Sequence, residues 1–208
     1  MKLLYFAGFR GRAEPIRLAL HAGGVDFTDE RFAQSEWPSI KPTTPRGAVP
    51  TLTLDDGTVL TESLALLRYA GKLGTPRLYP EDAVAAAKVD EAIDILSDLN
   101  RTIGATLKLP KEETLAKREA MLAEGGDLTK LLKYVDGMAT ANGSGFLVGD
   151  SLTIADCALS TPCFWLTSGV LDGVPKNCLD KYEGIMKVCK TVSEVPAIKK
   201  YETLQYPE

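Results

Sequence analysis

The sequence predicts an α/β domain followed by an all-α domain, and three observations carry the prediction. Strand-like and helix-like patterns alternate over roughly the first 80 residues. The remainder repeats its apolar residues at helical spacing, and the stretch Gly74-Thr75-Pro76-Arg77-Leu78-Tyr79-Pro80 interrupts both periodicities between the two. The expected division is residues 1–74, a linker over 75–83, and a helical domain over 84–208.

Lys2 to Phe6 is a short apolar strand, and Pro15 to Ala22 a helix, since proline suits a first helical turn and Gly23-Gly24 a helix end. Val25 to Arg31 alternates as a second strand, so a βαβ unit with a parallel pair is expected. After a polar loop containing Trp37-Pro38 and Lys41-Pro42, Val49 to Leu54 and Val59-Leu60 flank the turn Asp55-Asp56-Gly57-Thr58 as antiparallel strands. Glu62-Ser63 then opens a helix through Ala70. The order β-α-β, then β-β-α, is that of a thioredoxin-like domain.

Beyond the linker, Val89, Ile93, Leu96, Leu99, Ile103 and Leu107 mark one long helix. A second segment from Lys111 to about Ala141 carries Leu115, Leu122, Leu128, Leu131, Leu132 and Val135, with Gly125-Gly126 placed to bend or break it. Long helices with short connections predict a bundle. Thr153 and Asp156 have cap-to-N3 spacing, a capping box whose chemistry is fully used in starting a helix.

Twenty-four basic against 28 acidic residues give a net charge of −4, with no Lys/Arg block and no interleaving of basic and aromatic residues, which argues against nucleic acid. No apolar run approaches the ~20 residues needed to cross a bilayer, so membrane insertion is not expected. The N-terminus lacks the long apolar segment of a signal peptide, and a cytoplasmic location follows as the default. Cys157, Cys163, Cys178 and Cys189 include no C-x-x-C pair, and the single histidine, His21, is far away in sequence; zinc ligation and a redox dithiol are poorly supported, and the cysteines are expected to be reduced residues of a helical core. For His21, a dipole interaction at the end of its helix or simple packing is favoured over catalysis.

The chemistry concentrates where the first strand meets the first helix. The free N–H groups of a helix start attract negative charge, and Tyr5 at the strand end brings a phenol that can donate to a developing anion. Taken alone, a tyrosine at this position is better explained by packing.

Six stretches in order carry a resemblance: Tyr5-Phe6, Gly11-Arg12-Ala13-Glu14, Glu36-Trp37-Pro38, Val49-Pro50, Glu62-Ser63, and Val148-Gly149-Asp150-Ser151-Leu152-Thr153-Ile154-Ala155-Asp156. Over nearly its full length the chain resembles cytosolic glutathione transferases, most closely the Tyr-dependent, sigma-like group. The resemblance implies that Tyr5 stabilises the thiolate of glutathione, which serves as co-substrate with no metal or prosthetic group. A thiol of pKa ~8.5 needs ~2.7 kcal/mol of preferential anion stabilisation to fall by two units, and one hydrogen bond to a charged group supplies roughly 1.5–3 kcal/mol.

The same resemblance implies the anchors. Phe6 belongs to the glutathione site; Val49, with a cis Pro50 after it, offers its main chain to the cysteinyl part; Glu62 and Ser63 hold the γ-glutamyl end; Trp37 and Lys41 reach the glycyl carboxylate. Arg12 either supports the thiolate electrostatically or pairs with Glu14 on the surface. Asp98 either reaches the neighbouring subunit's ligand in a homodimer or lies on a solvated helix face, and Ser63 is equally an N-cap. Phe9, Ile103, Leu107, Trp165 and Tyr206 are the candidate walls of a pocket for small hydrophobic electrophiles.

Two departures stand out. Phe6-Ala7-Gly8-Phe9-Arg10 is one residue longer than sigma-like members lead one to expect, and Ala48 stands where a glutamine commonly aids glutathione binding. They modestly favour a non-catalytic hydrophobic-ligand-binding or structural protein as one alternative. A glutathione-dependent isomerase of the prostaglandin D synthase kind is another, using the same thiolate.

Overall fold

Strand β1 (Lys2–Phe6) alternates as a half-buried strand must, turning Leu3 and Tyr5 inward. The computed structural model describes residues 1–206. They divide into two units, Met1–Tyr79 joined by the segment that begins at Pro196, and Pro80–Val195.

In the first unit, a 3₁₀ turn over Gly11–Ala13 leads into α1 (Glu14–Ala22), with Pro15 in its first turn. Then come β2 (Thr28–Phe32), the short α2 (Trp37–Ile40), β3 (Thr51–Thr53), β4 (Val59–Leu60) and α3 (Ser63–Gly71). The sheet order is β2-β1-β3-β4, with β1 and β2 parallel and the remaining pairs antiparallel. This is the thioredoxin-like arrangement. Helix α9 (Pro196–Gln205) packs on α1 in the same unit.

Two strands are shorter than the pattern suggested. β2 begins at Thr28 rather than Val25, because β1 supplies partners only from Lys2, which pairs with Thr28, and the Val25 N–H is taken by the Leu20 carbonyl at 2.9 Å. β3 begins at Thr51 rather than Val49, since Pro50 has no N–H to give to a ladder.

The second unit is helical. Asp82 caps α4 (Ala83–Gly104), accepting from the Val84 and Ala85 N–H groups at 3.1 and 2.8 Å, and Val89, Ile93, Leu96, Leu99 and Ile103 form its buried stripe. The segment after Lys111 is two helices, α5 (Lys111–Leu122) and α6 (Asp127–Asn142). Gly125 has φ +73°, and a Cβ on Gly126 would lie 2.5 Å from the Ala120 and Met121 carbonyls, so the two glycines allow a close reversal. Helix α7 (Ile154–Thr167) starts on the expected capping box and is followed by α8 (Glu183–Ser193). Among the described residues, no helix is long and apolar enough to cross a membrane.

Candidate active site

Tyr5 ends the inward face of β1, and its hydroxyl accepts a hydrogen bond from the Arg12 backbone N–H at 3.2 Å. The five-residue interval Phe6 to Arg10 is accommodated by a bend at Gly8, φ +74°, after Ala7 N–H has bonded the Phe32 carbonyl at 2.8 Å. Gly11, φ +46°, is required at the next turn. A Cβ there would lie 2.5 Å from the Tyr5 hydroxyl. The extra residue therefore leaves the phenol facing the start of the helix. With the Arg12 N–H donating to it, the hydroxyl retains its own proton for a further acceptor.

Beneath the phenol lies a buried ionic cluster. Arg17 is fully buried; its Nε donates to both Asp29 carboxylate oxygens at 3.0 and 3.1 Å, and its Nη1 to Glu14 Oε2 at 3.2 Å and the Phe9 carbonyl at 3.3 Å. Its Nη2 has no hydrogen-bond partner among the described residues, and the guanidinium carbon lies 5.7 Å from the Tyr5 ring centroid. The hydroxyls of Tyr201, in α9, and of Tyr206, just after it, donate to Glu14 Oε2 at 3.1 and 3.0 Å, and Arg10 pairs with Glu202 at 2.9 Å. Burial, and then the Glu14 carboxylate, pushes both phenols up, so they remain protonated donors. The loop after Tyr5 is thus tied at Phe9 and Arg10.

A cavity of about 230 Å³ opens beside this loop, lined by Arg12, Arg46, Ala48, Val49, Pro50, Thr61, Glu62 and Ser63. It combines two guanidinium groups, a carboxylate and a hydroxyl, the set needed to hold an amino acid terminus. Arg46 and Glu62 form an ion pair. The Val49–Pro50 bond is cis, and the Val49 N–H and C=O have no backbone partner among the described residues. Glu62 holds φ +70° as the N-cap of α3, which makes Ser63 its first residue rather than its cap, contrary to the N-cap alternative.

The other expected residues fall as follows. Trp37 stacks on Phe32 with ring centroids 5.8 Å apart and meets Phe6 edge-on at 5.3 Å, while Lys41 is exposed in the following turn. The surface pairing of Arg12 with Glu14 does not occur: Glu14 is buried and engaged by Arg17, whereas Arg12 is exposed at the cavity. Phe9 is 46% exposed. Tyr206 spends its hydroxyl on Glu14. In the helical unit Leu107 is exposed, Trp165 partly so, and Ile103 is buried in the core. Asp98 is exposed and pairs with Arg101 one turn on. Among the described residues, no group of three or more His, Cys, Asp or Glu side chains is placed to hold a metal ion.

Arg17 and Arg46 escaped the sequence reading. Arg17 had a signal, its i, i+3 spacing from Glu14. Arg46 had none, because it meets Glu62 only through the fold.

A thioredoxin-like unit that aims a tyrosine at a helix start, beside a cis-proline edge and followed by an all-helical unit, has the build of a glutathione-dependent transferase. Residues 12–73 match the glutathione S-transferase N-terminal domain and residues 97–204 its C-terminal domain. Glutathione S-transferase 1 of Ascaris suum is 33% identical over 205 residues, covering 96% of this chain and 94% of that protein. Among solved structures, prostaglandin synthase D of Nilaparvata lugens aligns with a TM-score of 0.85 at 30% identity, covering 100% of this chain and 98% of that one. A Fasciola hepatica sigma class glutathione transferase aligns with a TM-score of 0.82 at 29% identity, covering 100% and 97%. The chain belongs to the glutathione S-transferase family and is a glutathione transferase.

Proposed function

We propose that the protein is a Tyr-type, sigma-like glutathione S-transferase in which Tyr5 stabilises the glutathione thiolate for attack on small hydrophobic electrophiles. The observation that carries this is the Arg12 N–H bond to the Tyr5 hydroxyl at 3.2 Å, which orients the phenol and leaves its proton for a sulfur anion. The thiol proton goes to solvent, the sulfur accepts the Tyr5 O–H, and the sulfur lone pair forms the new bond to the electrophile as the leaving group departs with its electron pair.

The remaining residues follow the chemistry of the tripeptide. The unpaired Val49 main chain beside Pro50 receives the cysteinyl backbone, Glu62 and Ser63 receive the γ-glutamyl end, and Trp37 and Lys41 the glycyl carboxylate, with Phe6 packing beneath Trp37. Arg12, exposed at the cavity, adds positive potential near the sulfur. Phe9, exposed and edge-on to Phe6, contacts the electrophile. A homodimer in the cytoplasm completes the reading, with Asp98 reaching the ligand of a second copy; a monomer by sedimentation at micromolar concentration removes that contact.

The test is Tyr5→Phe. Conjugation of an activated aryl halide should fall about 10²- to 10³-fold, as for loss of one donor to a reacting anion, while calorimetry still registers glutathione binding. An unchanged rate removes Tyr5 from the mechanism. No glutathione binding at millimolar ligand in the parent protein favours a non-catalytic ligand-binding role instead. A second reading, a glutathione-dependent isomerase, is favoured by the likeness to the Nilaparvata lugens prostaglandin synthase; turnover of a prostaglandin endoperoxide to the D-type product, faster than conjugation, would support it.

A further inference from the structure

Helices α7 and α8 bring together two cysteines that lie 26 positions apart in the chain. The Cys163 and Cys189 sulfurs are 3.0 Å apart, in hydrogen-bond contact, and each side chain is partly exposed. A disulfide needs ~2.05 Å, so side-chain rotation that closes about 1 Å would join them. We propose that Cys163 and Cys189 form a peroxide-oxidisable pair that locks α7 to α8 by a reversible disulfide.

The other two cysteines lack this geometry. Cys157 is fully buried, and burial pushes its thiol far up; Cys178, also raised by burial, directs its sulfur to the Leu166 carbonyl at 3.6 Å. The hydrogen bond between the two sulfurs pulls Cys189 below the ordinary thiol value and pushes Cys163 above it, so Cys189 is the more readily ionised of the pair. The thiolate is the nucleophile, so Cys189 reacts first.

The Cys189 thiolate attacks one oxygen of hydrogen peroxide, forming an S–O bond as the O–O bond breaks; the hydroxide released takes a proton and leaves as water. The Cys163 sulfur then attacks the Cys189 sulfenic sulfur. The S–S bond forms, the S–O bond breaks, and hydroxide leaves with the Cys163 proton as a second water. Two thiols are oxidised and one peroxide is reduced.

The experiment uses the full chain, reduced, freed of reductant and treated with hydrogen peroxide. Labelled in denaturant, two of the four thiols should no longer react with iodoacetamide, the mass should fall by that of two hydrogens, and a non-reducing digest should yield one peptide pair joining Cys163 to Cys189. Dithiothreitol should restore all four thiols. Cys163→Ser should leave Cys189 as a sulfenic acid that dimedone captures, with no cross-link. The thermal midpoint of the oxidised protein should rise and return on reduction. Full alkylation of both cysteines after peroxide, a cross-link through Cys178 or between chains, or a lower midpoint on oxidation would each overturn the proposal.

Discussion

Glu14 in the first unit and Asp156 in the second are both buried carboxylates in the first turn of a helix, yet they are held by opposite means. Glu14 shares its site with a cation, the fully buried Arg17, and takes hydrogen bonds from Tyr201 in α9 and Tyr206 just after it. Among the described residues, Asp156 has only neutral donors: the Leu147 N–H at 2.6 Å, the Thr153 N–H at 2.7 Å and the Thr153 hydroxyl at 3.0 Å. One carboxylate belongs to a long-range ionic cluster and the other to a local cap. Desolvation dominates at Asp156, where burial pushes the carboxyl up to about 6 in spite of its three donors. A helix start can therefore bury an acid without a counter-charge, at the cost of making it titrate near neutral pH.

The strongest way to break this comparison is Glu14→Ala. It strips Arg17 of one of its two carboxylate partners and Tyr201 and Tyr206 of their shared acceptor, and removing one partner of a buried ion pair costs about 3–5 kcal/mol. Urea denaturation should show that loss. Because the Arg17 Nη1 also holds the Phe9 carbonyl, conjugation activity of the residual folded protein should fall as the loop after Tyr5 loosens. Asp156→Ala should cost less, about 2–3 kcal/mol, since it leaves neutral N–H groups without acceptors rather than a charge without its partner. Equal losses, or the reverse order, would mean that the counter-charge at Glu14 contributes nothing beyond its hydrogen bonds.

The same contrast explains what could be read from the chain. The Asp156 box is legible because it is complete within three residues, and β1 is legible over Lys2 to Phe6 because a short apolar run ending at a glycine-containing loop marks a strand. The fold order and the Tyr5 to Arg12 junction are local in the same sense. The starts of β2 and β3 were misplaced because they depend on what a partner strand offers and on the missing N–H of Pro50, not on the strand's own pattern. The tyrosine donors of the Glu14 cluster were invisible because Tyr201 lies 187 positions from its acceptor. Cys163 and Cys189 likewise have no spacing signature, because helix packing rather than C-x-x-C spacing brings their sulfurs together.

The finest test of the comparison is pH. For Asp156 the ordinary unfolded value is ~3.9 and the folded value about 6, so between them the folded state holds a proton that the unfolded chain lacks. Stability rises with pH only where the unfolded state binds more protons; here the sign is negative, and the contribution is full below about pH 4 and is lost as pH rises through 6. His21 behaves in the opposite sense. It stacks on Tyr201 with centroids 4.4 Å apart, and burial, opposed by Asp29 and aided by Arg17 and Arg31, holds its imidazole below the ordinary 6.5. The unfolded chain takes up that proton first, so the His21 contribution is present above ~6.5 and lost as pH falls below it. Urea titrations from pH 4 to 8 should therefore give difference curves of opposite slope: parent minus Asp156→Asn declining as pH rises to 6, parent minus His21→Gln increasing. Slopes of the same sign would show that the acids and cations gathered around Glu14 reach His21 in the reverse balance, with Asp29 outweighing burial and the two arginines.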